Sequence, residues 1–165
     1  MILYHGSTVI VDEPKVLLSE RLVDFGAGFY TTTNREQAIR WAQRVSTRRG
    51  IDDSIISQYE FDSVEAESKL RIIRFNEPDG VWLDFVCANR SGREPLEPYD
   101  IVFGPVANDT VYTVVQFYEN GVYDKEEAIK RLKVQALYNQ VLFHTEKSLT
   151  FCEYKGYERI GGVNG

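Results

Sequence analysis

No stretch of this chain narrows the possible folds as much as Asp24-Phe25-Gly26-Ala27-Gly28-Phe29-Tyr30-Thr31-Thr32-Thr33-Asn34-Arg35-Glu36-Gln37. Two glycines one residue apart mark a turn, and the aromatic and β-branched run behind them is strand-forming. Asn34 is an N-cap, and Gln37 three residues later completes a capping box. Ala38, Trp41, Ala42 and Val45 recur at helical spacing, which predicts a helix over 35–49. A dinucleotide-binding loop of the doubly wound kind places its glycines after a strand and before a helix. Here the strand follows the glycines, so GAG is not that fingerprint.

The rest of the chain mixes strands and helices without strict alternation. Residues 2–5 form a short apolar strand, and 15–22 a helical turn. Strands are expected at 55–61, 70–75, 100–106, 140–145 and 149–154. Pro78 opens a helix that carries Val81, Trp82, Phe85 and Val86 to Arg90. Asn108 or Asp109 caps a helix with Val111, Val114, Val115 and Tyr118. Asp124, with Glu127 three residues on, caps another through Ile129, Leu132 and Leu137. Such an order predicts an α+β domain rather than a doubly wound sheet. The chain has 165 residues and no linker-like or low-complexity segment, which fits one domain over 1–165. Its glycine-rich end, 156–165, reads as a flexible tail.

Inventory removes several chemistries. No run nears the roughly 20 apolar residues of a membrane helix, and MILYHGS is not a signal peptide, so the expected location is the cytoplasm. The two cysteines, Cys87 and Cys152, are expected as buried free thiols. With His5 and His144 they match no metal-site spacing, so no metal is expected. The net charge of −6 disfavours binding to long nucleic acid, and Arg40, Arg44, Arg48 and Arg49 read as a solvated helix face. Neither a Walker loop nor a GxSxG elbow is present.

Four segments hold polar residues in unusual places, of which Gly104-Pro105-Val106-Ala107-Asn108-Asp109 reads as a strand-to-helix turn with a capping Asp. His5 ends an apolar strand and Gly6 follows it, with Ser7 next; a glycine there permits close backbone approach to a ligand. Tyr30 follows two glycines. Gln140 opens an apolar strand. Each has an ordinary structural alternative: a satisfied strand-end histidine, a core tyrosine, a turn contact.

Together the segments resemble the ADP-ribosyltransferase superfamily in its diphtheria-toxin/PARP-like branch, which carries a histidine on the first strand, a tyrosine on the second and a glutamate opening a later one. Leu3-Tyr4-His5-Gly6-Ser7, Gly26-Ala27-Gly28-Phe29-Tyr30-Thr31 and Asn139-Gln140-Val141-Leu142-Phe143 are similar to the three motifs, with glutamine at the third. A closer resemblance is to the DUF3990 family of bacteria and phages. LYHGS, DFGAGFYTTTNREQAIRWA, WLDFVCANR, YDIVFGPVANDTVY and NQVLFHTEKSL look like its blocks, in order, over nearly the whole chain.

The resemblance implies split β-sheets with flanking helices and NAD+ as co-substrate. It implies His5, Tyr30 and Gln140 as catalytic residues, and His5, Gly6, Ser7, Gly28, Phe29, Tyr30 and Thr31 as the NAD+-binding set. His5 would bond a ribose hydroxyl, the Gly6 backbone would pair with the nicotinamide carboxamide, and Tyr30 would stack on the ring. Gln140 keeps the hydrogen bonds of a glutamate but cannot act as a base. That implies mono-ADP-ribosyl transfer to a macromolecular acceptor rather than chain growth. Glu146, six residues on, lies about 20 Å away along an extended strand, too far to replace it unless the strand breaks early. The resemblance further implies a toxin–antitoxin-like arrangement with a small partner protein. The loops 9–23 and 89–99 are candidates for choosing the acceptor. Two other readings stay open: a catalytically weak or inactive nucleotide-binding or interaction module of the same fold, and a metal-independent RNase-type toxin using His5 and His144.

Overall fold

The computed structural model describes residues 1–17, 24–93, 97–106, 109–133 and 139–161. Seven strands and six helices are found among them: β1 (Ile2–Ser7), β2 (Phe29–Thr31), α1 (Arg35–Arg49), β3 (Ser54–Phe61), α2 (Ser63–Lys69), β4 (Ile72–Arg74), α3 (Gly80–Arg90), β5 (Ile101–Pro105), α4 (Asp109–Glu119), α5 (Lys125–Leu132), β6 (Asn139–Phe143), α6 (Glu146–Leu149) and β7 (Cys152–Ile160). The fold is α+β, with strands divided into two sheets of order β1-β3-β7 and β2-β6-β5-β4. Only β4 and β5 run parallel; the other pairs are antiparallel.

Strand alternation builds three apolar cores between four layers. Leu3, Tyr59 and Phe61 from the first sheet meet Phe29, Ile101, Val141 and Phe143 from the second in one apolar core. The opposite face of the second sheet, carrying Val102 and Leu142, packs on Trp82, Leu83 and Val86 of α3, Val111 and Val115 of α4, and Ala128 and Leu132 of α5. Helix α1 covers the outer face of the first sheet through Ala38 and Ala42 against Ile56. Those two small residues let the helix come close. A Cβ built on Gly6 would lie 2.1 Å from the Ala38 carbonyl oxygen and 2.8 Å from the Ala42 nitrogen. Gly6 therefore lacks a side chain because α1 occupies its place, rather than because of any ligand contact by itself.

Several expectations need correction. Asn34 does cap α1, accepting from the Gln37 backbone at 3.0 Å, but Gln37 does not close a capping box. The Asn34 N–H is bonded instead to Thr32 Oγ1 at 3.0 Å, and the Gln37 side chain reaches Asn139. The stretch 156–165 is not a tail through its first half: β7 runs to Ile160 and pairs with β3 along its length. Gly156, with φ 136°, sits where the β3–β7 register shifts, so it marks a bulge rather than a chain end. The expected strand over 149–154 is the short helix α6 followed by the start of β7. The strand expected over 70–75 is only β4, preceded by α2. Leu137, most of 15–22 and the last four residues of the expected tail lie outside the described residues.

Candidate functional site

Among the described residues, one backbone rung joins the edges of the two sheets. Tyr4 N–H donates to Thr32 O at 2.8 Å, and Thr32 N–H donates to Tyr4 O at 2.9 Å. In an antiparallel ladder the hydrogen-bonded pairs recur every second residue, so the next rung would join Gly6 to Tyr30. It does not form. The Tyr30 carbonyl accepts instead from His5 Nδ1 at 2.7 Å, and the imidazole, packed on Phe29 at 4.5 Å between centroids, wedges β1 and β2 apart. The N–H and C=O of Gly6, a buried residue, face that gap, and β2 supplies neither with a backbone partner among the described residues. A strand edge with an adjacent donor and acceptor is what a primary carboxamide complements.

The bond to Tyr30 O fixes the His5 tautomer. Nδ1 carries the proton, and Nε2 keeps a lone pair to accept from a hydroxyl. Burial lowers the His5 pKa from its ordinary 6.5, more than the bond to Tyr30 raises it, so the ring is neutral at pH 7.

The turn before β2 is held carbonyl by carbonyl. Asp24 O accepts from Asn89 Nδ2 at 3.2 Å, Phe25 O from the Tyr99 hydroxyl at 2.8 Å, Gly26 O from the Tyr30 hydroxyl at 2.6 Å, and Ala27 O from His144 Nδ1 at 2.6 Å. Phe25 anchors the turn in the core at 0% exposure, and Asp24 pairs with Arg90 at 2.6 Å, both side chains largely buried. The Tyr30 hydroxyl also accepts from Phe25 N at 3.3 Å, and burial above all raises its pKa. With the phenol committed to the turn, only the Tyr30 ring can meet a ligand.

Tyr30 lies opposite Leu142 in the β2–β6 register. Gln140, two residues from Leu142, therefore shares the face of Tyr30, one position past the last β2–β6 pair, Thr31 and Val141. Asn139 and not Gln140 opens β6. Gln140 is 4% exposed, and its Nε2 has no hydrogen-bond partner among the described residues. Beside it, Asn139 O accepts from both Thr32 Oγ1 at 2.9 Å and Gln37 Nε2 at 3.2 Å. Gln37, 3% exposed, has an Oε1 with no partner among the described residues. Gln140 also lines a groove of about 590 Å³ with Thr33, Phe75, Phe103, Lys133 and Asn139, and neither His5 nor Tyr30 lines that groove. Gly6, Tyr30, Gln37 and Gln140 thus lie on one side of the joined sheets. The His5 ring sits on the other side, with Phe29.

The remaining expected residues hold supporting positions. Phe29 lies in the core beneath His5. Thr31 is fully buried and donates to Val141 O at 2.9 Å, which leaves its hydroxyl proton no ligand. A Cβ on Gly28 would meet Phe143 O at 2.2 Å, so close strand packing requires that glycine. Ser7 ends β1, half-buried. His144 is stacked on Tyr99 at 4.5 Å and emerges on the β6 face opposite to His5, so the two imidazoles form no joint acid–base centre. Glu146 accepts from Val16 N at 2.8 Å, beyond the far end of β6. Burial pushes the thiols of Cys87 and Cys152 up to about 12, which makes neither a nucleophile. Motif reading missed Gln37, Asn89, Arg90 and Tyr99 as builders of the site. The sequence signals were their polar character at the ends of apolar helices and strands.

A family model described as "Protein of unknown function (DUF3990)" matches residues 1–154. No curated protein is significantly similar to the chain. Among the described residues, no helix is long and apolar enough to cross a membrane.

Proposed function

The chain belongs to the DUF3990 family, and we propose that it is an NAD+-dependent mono-ADP-ribosyltransferase whose nicotinamide pocket is the gap between β1 and β2. One observation carries the reading: a buried glycine edge is left open where a histidine side chain has taken the carbonyl that should have closed it. Leaving a buried N–H and C=O unpaired costs on the order of 1–3 kcal/mol each. A ligand carboxamide would recover that cost, because its C=O accepts from Gly6 N–H while its NH2 donates to Gly6 O. The Tyr30 ring, rigidly held by its own hydroxyl, offers an aromatic face beside the carboxamide. His5 Nε2 accepts from a ribose hydroxyl as a neutral ring.

Bound NAD+ supplies an ADP-ribosyl group, whose bond to nicotinamide breaks with the electron pair leaving on the pyridine nitrogen. The chain's own groups bind and orient for that step. Gln140 carries no charge to favour the developing positive ribose. Losing such a contact typically slows catalysis roughly a hundredfold or more. Gln140 also takes no proton, so the acceptor must arrive as a nucleophile needing no base from this residue. These features support transfer of a single unit and argue against chain growth.

The uncharged Gln140 also favours a second reading, a module that binds NAD+ without turning it over. Incubating the purified chain and a cell lysate with labelled NAD+ separates the two. Transfer of label that is lost in His5→Ala and Tyr30→Ala supports the enzyme. Binding of NAD+ without transfer or nicotinamide release supports the module. No binding at all removes both. If the chain is the toxin of a toxin–antitoxin-like pair, its expression arrests growth and the same two substitutions relieve the arrest.

A further inference from the structure

Strand β4 forms one edge of the second sheet, and among the described residues no strand pairs with its outer side. Arg71 O accepts from Ile101 N at 3.3 Å, and Phe75 N donates to Phe103 O at 2.8 Å. Alternate residues of a strand turn their backbone groups to the same neighbour, so Ile72 and Arg74 present N–H and C=O outward. These groups have no backbone partner among the described residues. The side chains of Ile72 and Ile73 go to opposite faces. Ile72 joins the core between the sheets, and Ile73 the core under α3, α4 and α5. Beside Ile73 a cavity of about 850 Å³ follows the outer side of α3, past Val81, Phe85 and Ala88, to Tyr118 of α4. Its charged lining is Asp84, Glu97 and Glu119 against Arg93. Lys125 pairs with Asp84 at 2.6 Å, which leaves two carboxylates against one guanidinium.

We propose that the β4 edge and this cavity together bind an extended segment of a partner protein. The segment adds to the sheet as a strand beside β4 and pairs with the N–H and C=O groups of Ile72 and Arg74. One apolar side chain enters the cavity against Ile73 and Phe85. A lysine or arginine two positions along, on the same face of the added strand, reaches Glu119. Exposed sheet edges are ordinarily covered, twisted away or guarded by charge. Here charge guards one face only. Arg74 lies over the Phe103 ring at 4.1 Å and bonds Glu67, on the face it shares with Ile72. On the cavity side the wall is apolar, and Val81 is 68% exposed. The site is separate from the nicotinamide gap, since neither Gly6 nor Tyr30 lines the cavity.

The test is an NMR titration of the isotope-labelled chain with a capped heptapeptide, Thr-Lys-Thr-Val-Thr-Lys-Thr. Its lysines and valine share one face, and its symmetry serves either strand direction. Saturable shifts are expected at the amides of residues 72–75 and along α3, with those of residues 4–6 and 29–31 unmoved. A peptide with glutamate in place of lysine should bind at least about tenfold more weakly, through loss of a charge-assisted contact. Methylating the amide nitrogens of one alternate set of peptide residues should abolish binding, and methylating the other set should not. Val81→Lys, at an exposed position that leaves the fold intact, should weaken the lysine peptide by about tenfold or more and leave NAD+ binding unchanged. Absence of saturable binding, equal effects of the two methylated peptides, or shifts confined to other elements overturn the proposal. So does a dimer of the chain that the peptide dissolves, which assigns the edge to a second copy. Each of these results leaves the NAD+-dependent reading standing.

Discussion

Replacing His5 by Phe tests whether the imidazole wedge is what keeps β1 and β2 apart. The phenyl ring preserves the packing on Phe29, so the change isolates one hydrogen bond. Losing Nδ1–H leaves the Tyr30 carbonyl without its donor, at a cost of about 1–3 kcal/mol. For a domain of this size each kcal/mol lowers Tm by roughly 2–4 °C, so a fall of about 2–12 °C is expected at pH 8. The pH dependence gives a sharper measure. Burial lowers the folded-state pKa of His5 below 6.5. The stability of the wild-type chain is therefore fully present above 6.5, where both states are neutral at this ring. It declines as pH falls from 6.5 toward the folded value, because the unfolded chain takes up a proton that the buried ring refuses. One proton sets the steepest slope, about 1.4 kcal/mol per pH unit. His5→Phe lacks this loss, and every other titrating group is common to both chains. Urea titrations from pH 5 to 8.5 should show the stability gap between the two chains widest at pH 8 and narrowing below 6.5. A gap that stays constant, or that widens in acid, would refute the neutral buried imidazole.

Four further measurements probe the frame around it. Gly6→Ala places a Cβ 2.1 Å from the Ala38 carbonyl oxygen; α1 must shift, and chemical denaturation should show a loss of about 3 kcal/mol or more. Tyr30→Phe removes the bonds to Gly26 O and Phe25 N but keeps the ring, so a loss of about 1–2 kcal/mol with NAD+ affinity largely kept is expected from paired melting and calorimetry. Arg90→Ala leaves the largely buried Asp24 carboxylate without its guanidinium. The expected cost is about 3 kcal/mol, and hydrogen exchange should be fastest across the turn at residues 24–28. With both thiols raised to about 12, Cys87 and Cys152 should stay protonated at pH 8 and react with a thiol reagent only on unfolding; rapid labelling of the native chain would contradict this.

How much of this was legible in the sequence depended on whether a feature shows itself in local pattern. The helices α1, α3, α4 and α5 were visible because an apolar stripe marks each; a capping Asn34 or Asp124 marked α1 and α5, whereas α3 was read from Pro78 and is capped by Asp79 instead. Helix α2 was not visible: Ser63–Lys69 has no apolar stripe, since Val64 is exposed and Ala66 is its one buried residue. Strand β7 misled because it is an edge strand with mostly exposed residues and a glycine bulge, which together imitate a frayed end. The three candidate residues could be found, yet their relations could not. The His5–Tyr30 bond links a side chain to a backbone carbonyl 25 positions away, and no spacing rule reports such a contact. Gln37 was misplaced for a related reason. Its position fits a capping box, but Thr32 satisfies the N-cap amide first, so tertiary structure overrode a sound local inference.

Gly6 shows that the cause read from a sequence and the cause found in the fold can differ. Gly6 was expected to be glycine so that a ligand could approach its backbone, whereas the neighbour that excludes a side chain is α1. The two concern different directions at the same residue. The missing Cβ points at the helix, while the N–H and C=O lie in the plane of the sheet and face the gap toward β2. Close docking of α1 on Gly6 carries Gln37 to the start of β6, and the neighbouring residue His5 holds the gap open. Three consecutive facts of the fold, a helix seated on a glycine, a ring seated on a carbonyl and an amide seated on Asn139, thus depend on one dipeptide in β1. A substitution at either position of that dipeptide should disturb both stability and the geometry offered to a ligand, which is why binding and folding have to be measured together at this site.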